Sequence, residues 1–311
     1  MSFNITPEMI AGLAKNSTQN LRSLSEVFCS DMAGKVAIVT GGATGLGYNV
    51  VNRLAEAGVK VVIASRDEGR GKEAEEAFRA KGYEVTWKHT DVTLVKDCYE
   101  VVDFAVKTYG KLDIAVTNAA VWNMYSFLDM PEEVFDNVLA TDMKGEYFLA
   151  QAAARVMVEQ KIKGKIVFIS SVAHKGSDCP GVAMMTHYNA AKGAVVSMTK
   201  GIAKELHQYG ISVNCVAPGG MFTRGALTNG GEAASFYGAE LMEDRGKYGR
   251  ETPSAMNPDE VALVVFALCT DMSNFMVGET VDVDGGSMWS FQKQPWSYTV
   301  EGCIPGPSKD A

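Results

Sequence analysis

Seven short apolar segments recur between residues 35 and 286, and longer stretches with helical spacing separate them. The segments read KVAIVT, GVKVVIAS, YEVTWKHT, KLDIAVTN, GKIVFISS, GISVNCVAP and GETVDVDGG. Apolar runs of this length are typical of strands that are buried on both faces. Residues 67–82 and 94–110 have helical periodicity, and each ends at a glycine suited to a helix C-terminus. This alternation predicts an α/β fold, a doubly wound parallel sheet of about seven strands with helices on both faces.

The charge and residue usage argue against several classes of partner. The chain has 311 residues and a formal net charge of −8, whereas nucleic acids and anionic membranes select a basic face. No apolar run approaches the roughly 18 residues that span a bilayer, and the N-terminal residues lack a signal-peptide pattern. The six scattered cysteines indicate free thiols in a reducing cytoplasm. The four histidines have no ligand spacing, so we expect no metal site.

Three regions lie outside the alternation of strands and helices. Residues 1–30 form an N-terminal extension with two possible short helices, one of them opening at Thr6-Pro7. Residues 219–255 follow the end of a strand, where α/β sheets bind their ligands, and are a candidate substrate lid. Residues 291–311 contain three prolines and form a C-terminal tail. We therefore expect one catalytic domain over residues 31–290.

A glycine-rich turn, T-G-G-A-T-G-L-G, joins the first strand to the first helix at residues 40–47. Gly41 allows the tight turn, Gly45 lets the backbone approach a pyrophosphate, and Gly47 lets the helix pack closely on the strand. The phosphate then meets the positive end of the helix and its free amide groups. No Gly-Lys-Ser/Thr follows, which argues against a P-loop. The turn predicts a Rossmann-type dinucleotide site.

The T-G-x-x-x-G-x-G spacing resembles that of the short-chain dehydrogenase/reductase family, and further family motifs follow in order over residues 32–290. They are Asp91-Val92, Asn118-Ala119-Ala120, Ser171, the Tyr188-x-x-x-Lys192 pair, Pro218-Gly219 with Thr223, and V-D-V-D-G-G near residue 285. Asn118 stands in a variant of the family's N-N-A-G, with Thr117 and Ala120 in place of its first Asn and its Gly. The resemblance implies an oxidoreductase that moves a hydride between NAD(P) and a ketone or secondary alcohol.

The resemblance also implies which residues bind the cofactor. They are Gly41, Thr44, Gly45, Leu46, Gly47, Ser65, Arg66, Asp91, Val92, Asn118, Tyr188, Lys192, Pro218, Gly219 and Thr223. By the family's alignment, Ser65 occupies the position where NAD-dependent enzymes place a carboxylate, and Arg66 follows it. An arginine matches a 2′-phosphate, so we expect NADP to be preferred, with NAD possible. Asp67 could accept from the ribose, but we favour it as a helix N-cap.

The resemblance assigns catalysis to Ser171, Tyr188 and Lys192. Tyr188 and Lys192 are four apart in a helical segment, so both side chains lie on one face. A phenol has a reference pKa near 10, and a nearby ammonium favours the phenolate, lowering that pKa. Ser171 ends the fifth strand and can hydrogen-bond the substrate oxygen. In reduction, Tyr188 gives that oxygen a proton.

One catalytic position departs from the family pattern. The family's fourth catalytic residue is an Asn in V-N-x-x-G, and the segment ATDMKGEYF has Asp142 there. In the family, the backbone carbonyl of this residue holds a water on the proton path to the lysine. Any residue can supply that carbonyl, so Asp142 could be a tolerated replacement. Its carboxylate could instead pair with Lys192 and weaken the effect of Lys192 on Tyr188. Of the nearby histidines, His174 could touch the substrate and His187 is expected to face away.

The residues near the site favour a bulky apolar substrate, similar to a hydroxysteroid or another polycycle. The candidates for its pocket are Trp122, Met124, Met184, Met185, Met221, Phe222, Phe236, Tyr237 and Met242. A polyol or sugar is the alternative substrate, and a non-catalytic dinucleotide-binding regulator is a less favoured function. The family often forms tetramers, and the apolar stretch at 261–270 could bury a face in one, so we expect a homotetramer.

Overall fold

The computed structural model describes residues 32–176, 184–221, 223 and 257–285, together with two short strands at 296–297 and 306–307. Seven parallel strands form its sheet. They are β1 (Val36–Thr40), β2 (Lys60–Ser65), β3 (Val85–His89), β4 (Ile114–Thr117), β5 (Lys165–Ile169), β6 (Ser212–Pro218) and β7 (Thr280–Val283). Their order across the sheet is β3-β2-β1-β4-β5-β6-β7. The predicted fold class and the predicted number of strands are confirmed.

Helices cover both faces of this sheet. They are α1 (Gly45–Glu56), α2 (Glu68–Ala80), α3 (Val95–Tyr109), α4 (Glu132–Leu139), α5 (Glu146–Glu159), α6 (Thr186–Leu206) and α7 (Pro258–Cys269). A π-helical turn, Ala140–Gly145, joins α4 to α5. Short 3₁₀ turns occur at Phe127–Asp129, Val172–Lys175, His207–Tyr209 and Asp271–Ser273.

Strand residues alternate between two separate apolar cores. Ala37 and Val39 of β1 pack with α1, α2 and α7, whereas Val36 and Ile38 pack with α3, α5 and α6. All five residues of β1 are buried, because helices cover both faces of the sheet. Burial on both faces is therefore the physical reason that the strands appear in the sequence as continuous apolar runs.

The strand order reverses next to β1, and this reversal places the site. β1 pairs in parallel with β2 on one side and with β4 on the other. The chain thus crosses from β3 back over β1 to β4, which opens a crevice at the carboxyl ends of β1 and β4. Crevices at such switch points are where open α/β sheets bind ligands.

The terminal extensions are described only in part. Residues 1–30 and most of the expected lid at 219–255 lie outside the described residues. Within the C-terminal tail, Trp296–Ser297 pairs antiparallel with Gly306–Pro307. The stretch 261–270 forms most of α7, and its Val261, Val265 and Leu268 are buried. None of the described helices is both long and apolar enough to cross a membrane.

Candidate active site

The glycine turn lies directly beyond the end of β1. Gly41 and Gly45 have φ angles of +64° and +58°, in the left-handed region that glycine adopts without strain. The amide of Gly41 donates to Ala64 O at 2.8 Å, which ties the turn to β2. A Cβ atom on Gly47 would overlap the carbonyl oxygen of Gly41 and lie 2.6 Å from Nδ2 of Asn118. Gly47 is therefore required for the helix to approach the turn.

Asn118 joins the ends of β1 and β4. Its Nδ2 donates to Thr40 O at 2.9 Å, and its backbone amide donates to Thr40 Oγ1 at 2.8 Å. The amide of Ala119 donates to the same hydroxyl at 3.0 Å. These bonds satisfy buried polar groups and hold the two strand ends together, so the crevice keeps its width.

Most of the predicted site residues line one cavity of about 400 Å³ in this crevice. Those that do are Gly41, Thr44, Gly45, Leu46, Ser65, Arg66, Val92, Asn118, Ser171, Tyr188, Lys192, Pro218, Gly219 and Thr223. Gly47, Asp91 and Asp142 do not line it. Gly47 packs beneath the turn, and the Asp91 carboxylate accepts from Thr93 N at 3.0 Å and from Thr93 Oγ1 at 2.8 Å.

Two arginines lie beside the cavity, one directly after β2 and one in the first turn of α2. Asp67 caps α2 by accepting from Arg70 N at 3.0 Å, and its carboxylate pairs with Arg70 Nε at 3.2 Å. The predicted N-cap is confirmed, and its carboxylate is thereby engaged within the helix. Trp87 Nε1 donates to Ser65 Oγ at 3.0 Å, which holds that hydroxyl toward β3. Arg66 and Arg70 both line the cavity, and the sequence reasoning had not singled out Arg70.

Ser171, Tyr188 and Lys192 meet at the other end of the cavity. Tyr188 and Lys192 share one face of α6, and Nζ of Lys192 lies 5.8 Å from the Tyr188 ring centroid. Ser171 caps the following 3₁₀ turn by accepting from Ala173 N at 3.2 Å. Ser170 Oγ donates to the carbonyl of Lys192 at 2.8 Å, which ties α6 to the end of β5. The three predicted catalytic side chains are thus brought together.

Two buried carboxylates lie beneath Tyr188 and face Lys192. Nζ of Lys192 donates to Glu146 Oε1 at 2.8 Å and to Ile169 O at 2.9 Å. Asp142 Oδ2 lies 3.5 Å from the same nitrogen, while its Oδ1 accepts from Val121 N at 2.8 Å. Lys192, Asp142 and Glu146 are all at most 2% exposed. The contact between Asp142 and Lys192 agrees with one of the two alternatives predicted for Asp142, whereas Glu146 is a site residue that the sequence motifs did not indicate.

The burial of this cluster shifts every pKa within it. Burial alone lowers the pKa of Lys192, but the carboxylates of Glu146 and Asp142 outweigh burial and hold that pKa well above its ordinary value. Burial raises the pKa of both carboxyl groups, against the opposing effect of Lys192. Desolvation of its hydroxyl raises the pKa of Tyr188; Lys192 lowers it and Asp142 raises it. The net shift of the Tyr188 pKa is upward, because desolvation outweighs the lowering effect that we expected from Lys192.

His187 and His174 lie on different sides of the site. His187 is buried, and its Nε2 is 2.9 Å from Asn123 Oδ1. It therefore faces the loop after β4, away from Lys192. His174 Nε2 lies 3.3 Å from Asp282 Oδ1 of β7 and is not among the residues that line the cavity. Among the described residues, no group of three or more His, Cys, Asp or Glu could hold a metal ion.

The sheet, the glycine turn and the Ser–Tyr–Lys group define an α/β oxidoreductase that uses a dinucleotide. A sequence model of the short chain dehydrogenases matches residues 35–229. The chain belongs to the short-chain dehydrogenase/reductase family. It is therefore an oxidoreductase that acts on an alcohol or a ketone with NAD(P).

Individual relatives differ in the substrates that their names state. L-rhamnose 1-dehydrogenase (NAD(P)(+)) of Azotobacter vinelandii is 34% identical over 262 residues, covering 83% of this chain and 98% of its own. The (S)-acetoin-forming diacetyl reductase of Staphylococcus epidermidis is 33% identical over 268 residues, covering 82% and 99%. A crystal structure of an actinorhodin polyketide ketoreductase variant with NADPH has a TM-score of 0.75 and 26% identity, covering 84% and 99%.

The cavity fits the family's cofactor by two observations. Thr44, the N-cap residue of α1, lines the cavity and makes no side-chain cap hydrogen bond, which leaves backbone amides at the start of α1 open to a phosphate. Thr141 lines the cavity, and its Oγ1 atom is buried and has no hydrogen-bond partner among the described residues. A buried hydroxyl of this kind is costly unless a ligand satisfies it.

Proposed function

We propose that the chain interconverts a bulky apolar ketone and its secondary alcohol, with NADP as the preferred cofactor. The observation that carries the substrate class is an apolar cluster against the catalytic tyrosine. Met124 and Met185 are buried there, and Trp122, Met184 and Tyr188 pack around them. Methionine and tryptophan side chains present adaptable apolar surface, which suits a large ring system more than a polyhydroxylated one.

The two loops that form this apolar wall are tied to each other. The amide of Tyr125 donates to Met184 O at 2.9 Å, and the contact between His187 and Asn123 joins the same two loops. Met184 has a φ of 76°, a left-handed conformation that costs a non-glycine residue energy. Such strain persists only where the surroundings enforce it, so this position supports a wall with one defined shape.

The preference for NADP rests on two arginines, Arg66 directly after β2 and Arg70 in the first turn of α2. Asp67, the carboxylate that could select the free ribose hydroxyls of NAD, also lines the cavity, but it caps α2 and pairs with Arg70. Arg66 and Arg70 line the cavity there, and a guanidinium matches the geometry of a phosphate. We assign the adenine side of the site to Val92 and the pyrophosphate to the glycine turn. Pro218, Gly219 and Thr223 lie toward the nicotinamide end.

The chemistry follows from the positions of three side chains. The bound cofactor supplies or accepts the hydride at the substrate carbon. Ser171 donates a hydrogen bond to the substrate oxygen as charge develops on it. In reduction, the O–H bond of Tyr188 breaks and its proton passes to that oxygen; in oxidation, the phenolate takes the proton back. Lys192 stabilises the phenolate through its positive charge.

A polyol or sugar remains the second candidate substrate, because the relative from Azotobacter vinelandii bears the name of a sugar dehydrogenase at 34% identity. A sugar would need several hydrogen-bonding side chains at the substrate end. The Met124 cluster is apolar, and two of its members, Trp122 and Tyr188, line the cavity. A substrate panel that contains steroid-like ketones, aldoses and polyols separates these two substrate classes. Higher kcat/KM values for the sugars or polyols would overturn the bulky-substrate proposal.

Assembly and compartment are further proposals. Leu263, Met272 and Phe275 are exposed on and after α7, at 46%, 45% and 101% respectively. We propose that this surface is covered in a homotetramer, which light scattering at micromolar concentration tests. A monomer would contradict it. Cys98, Cys215 and Cys269 are free and buried, which supports a reducing, cytoplasmic compartment.

Cofactor preference can be tested by replacing Arg66. Arg66→Ala removes a charge-assisted contact worth about 1.5–3 kcal/mol, so NADPH should bind roughly 10- to 100-fold more weakly. NADH should bind almost as before, because it has no 2′-phosphate. Lys72→Ala is the matched control: it removes a positive charge from α2 that pairs with Glu68 and does not line the cavity. Equal losses for NADPH and NADH in Arg66→Ala would contradict the preference.

A further inference from the structure

Glu146 occupies an unusual place for a carboxylate. It is the first residue of α5, directly after the π-helical turn, and it is 2% exposed. Its Oε1 accepts from Lys192 Nζ at 2.8 Å, and its Oε2 accepts from Thr117 Oγ1 at 2.9 Å. A buried carboxylate with both oxygens engaged is held in one orientation. Glu146 thereby connects the end of β4 to the lysine of α6.

The ammonium of Lys192 takes its position from this contact. Its nitrogen lies 2.8 Å from Glu146 Oε1, 2.9 Å from Ile169 O and, at the longer distance of an ion pair, 3.5 Å from Asp142 Oδ2. The shorter of the two carboxylate contacts is therefore to Glu146. Without it, a fully buried charge would lose its nearest partner, and the long side chain would have no reason to remain beneath Tyr188.

The charges of the cluster do not balance if every group is ionised. One ammonium then faces two buried carboxylates, Asp142 and Glu146, which leaves an excess negative charge away from water. An uncompensated buried charge is expensive, and two carboxylates at one site cannot easily both lose their protons. The raised pKa values of Asp142 and Glu146 agree with this geometric argument. A single proton on one of the two carboxyl groups makes the cluster neutral.

We propose that Glu146 is the positioning residue for Lys192, and that near neutral pH one proton on Glu146 or Asp142 keeps the buried cluster neutral. That proton leaves at a lower pH than the proton of Tyr188. The effect of Glu146 on turnover rests on the proposed function, whereas its effect on the ionisation of Tyr188 does not. Glu146 acts through Lys192 and touches neither the cavity nor the reacting atoms.

The charged and titratable groups around Glu146 set the direction of the expected effect. They are Lys192 and Tyr188 from α6, Asp142 from the π-helical turn and Cys215 from β6. Above the pH at which this carboxyl proton leaves, the wild-type cluster has two carboxylates against one ammonium, and Tyr188 ionises in that range. Glu146→Gln keeps one carboxylate against one ammonium at every such pH. The Tyr188 phenolate then forms beside a less negative cluster.

The test is a titration of Tyr188 in cofactor-free protein by NMR of tyrosine labelled with ¹³C at Cζ, with Tyr188→Phe identifying its resonance. In Glu146→Gln the midpoint should fall by roughly one pH unit, at the lower end of the range for neighbouring charges. Glutamine has nearly the same volume and can still accept from Lys192 and donate to Thr117, so the fold is kept. Glu146→Asp restores the carboxylate and should move the midpoint back toward wild type.

Glu133→Gln is the matched control, because it removes an exposed carboxylate from the neighbouring helix α4. It should leave the Tyr188 midpoint unchanged. A Glu146→Gln midpoint equal to wild type, or a shift of the same size in Glu133→Gln, would overturn the proposal. Absence of ketone reduction in the wild type would refute the proposed function alone, since the titration needs neither substrate nor cofactor.

Discussion

The glycine turn after β1 and the buried cluster of Lys192, Asp142 and Glu146 beneath Tyr188 form two ends of one site. We call this cluster, together with Tyr188, the floor of the site, and it is built in the opposite way to the turn. The turn works through missing side chains: Gly41 and Gly45 have left-handed φ angles, and Gly47 lets α1 pack against the turn. The floor works through buried charge: Lys192, held between two carboxylates, lies within it. The turn exposes backbone to a ligand, whereas the floor keeps its polar groups from solvent.

This difference separates two kinds of failure. A side chain at Gly41 or Gly45 would take space beside the cavity and lower the affinity for the cofactor. A side chain at Gly47 would disturb the packing of α1 against the turn. A charge removed from the floor leaves the space unchanged and alters the protonation of Tyr188. Substitutions at the two ends should therefore change different observables, with cofactor affinity at one end and turnover or its pH dependence at the other.

The largest expected effect is at the floor, on turnover. Tyr188→Phe removes the proton donor and keeps the ring that packs against Met124 and Met185. Turnover should fall by a factor of roughly 10² or more, the usual scale of general acid–base catalysis, with cofactor affinity retained. Steady-state kinetics and a fluorescence titration of NADPH measure the two quantities. Tyr209→Phe changes an exposed tyrosine at the end of α6 and serves as the control; near-normal turnover in Tyr188→Phe would refute the assignment.

The next effect is at the turn, on affinity and stability. Gly47→Ala introduces a Cβ atom that overlaps Gly41 O, and overpacking of this kind costs about 1–3 kcal/mol. Unfolding in urea should show that loss, and NADPH affinity should fall with it. Gly201→Ala places a methyl group in open space on helix α6 and should be neutral or slightly stabilising. A Gly47→Ala protein with wild-type stability and affinity would remove the packing argument.

The two ends also differ in how far the sequence predicted them. Gly41, Gly45 and Gly47 are close neighbours in the chain, so their spacing directly after the first predicted strand predicts the turn. Tyr188 and Lys192 are likewise four residues apart in one predicted helical segment, and both lie in α6. Local spacing was enough for these features because one element positions all the residues concerned.

The carboxylates of the floor depend on contacts between distant segments. Glu146 and Lys192 are 46 positions apart in the chain, and their contact depends on how α5 and α6 pack. The signal that could have indicated Glu146 is its position four residues after Asp142, which predicts two carboxylates on one helix face. Burial of both carboxylates, and hence their raised pKa values, follows only from the packed structure. The terminal extensions and most of the expected lid lie outside the described residues.

The smallest expected effect is a shift in pH dependence at the floor. Asp142→Asn keeps an oxygen to accept from Val121 and removes one negative charge near Tyr188. Asp142 raises the pKa of Tyr188, so its removal should move the pH–rate limb that reports Tyr188 downward, by about one unit. The pKa read from this limb is an apparent value, because it belongs to the coupled cluster and not to Tyr188 alone. Superimposable profiles would leave the backbone carbonyl of Asp142 as its only contribution.

The central claim, hydride transfer to a bulky ketone under the control of Tyr188, is tested most directly by isotope transfer. The protein is given NADPH that carries deuterium at both C4 positions, together with a steroid-like ketone, and mass spectrometry follows the product. The wild type should form an alcohol that carries deuterium at the former carbonyl carbon, and Tyr188→Phe should form it at least about 100-fold more slowly. Tight NADPH binding without any deuterated alcohol across the ketone and sugar panel would contradict it, and would indicate a dinucleotide-binding protein that lacks the chemistry.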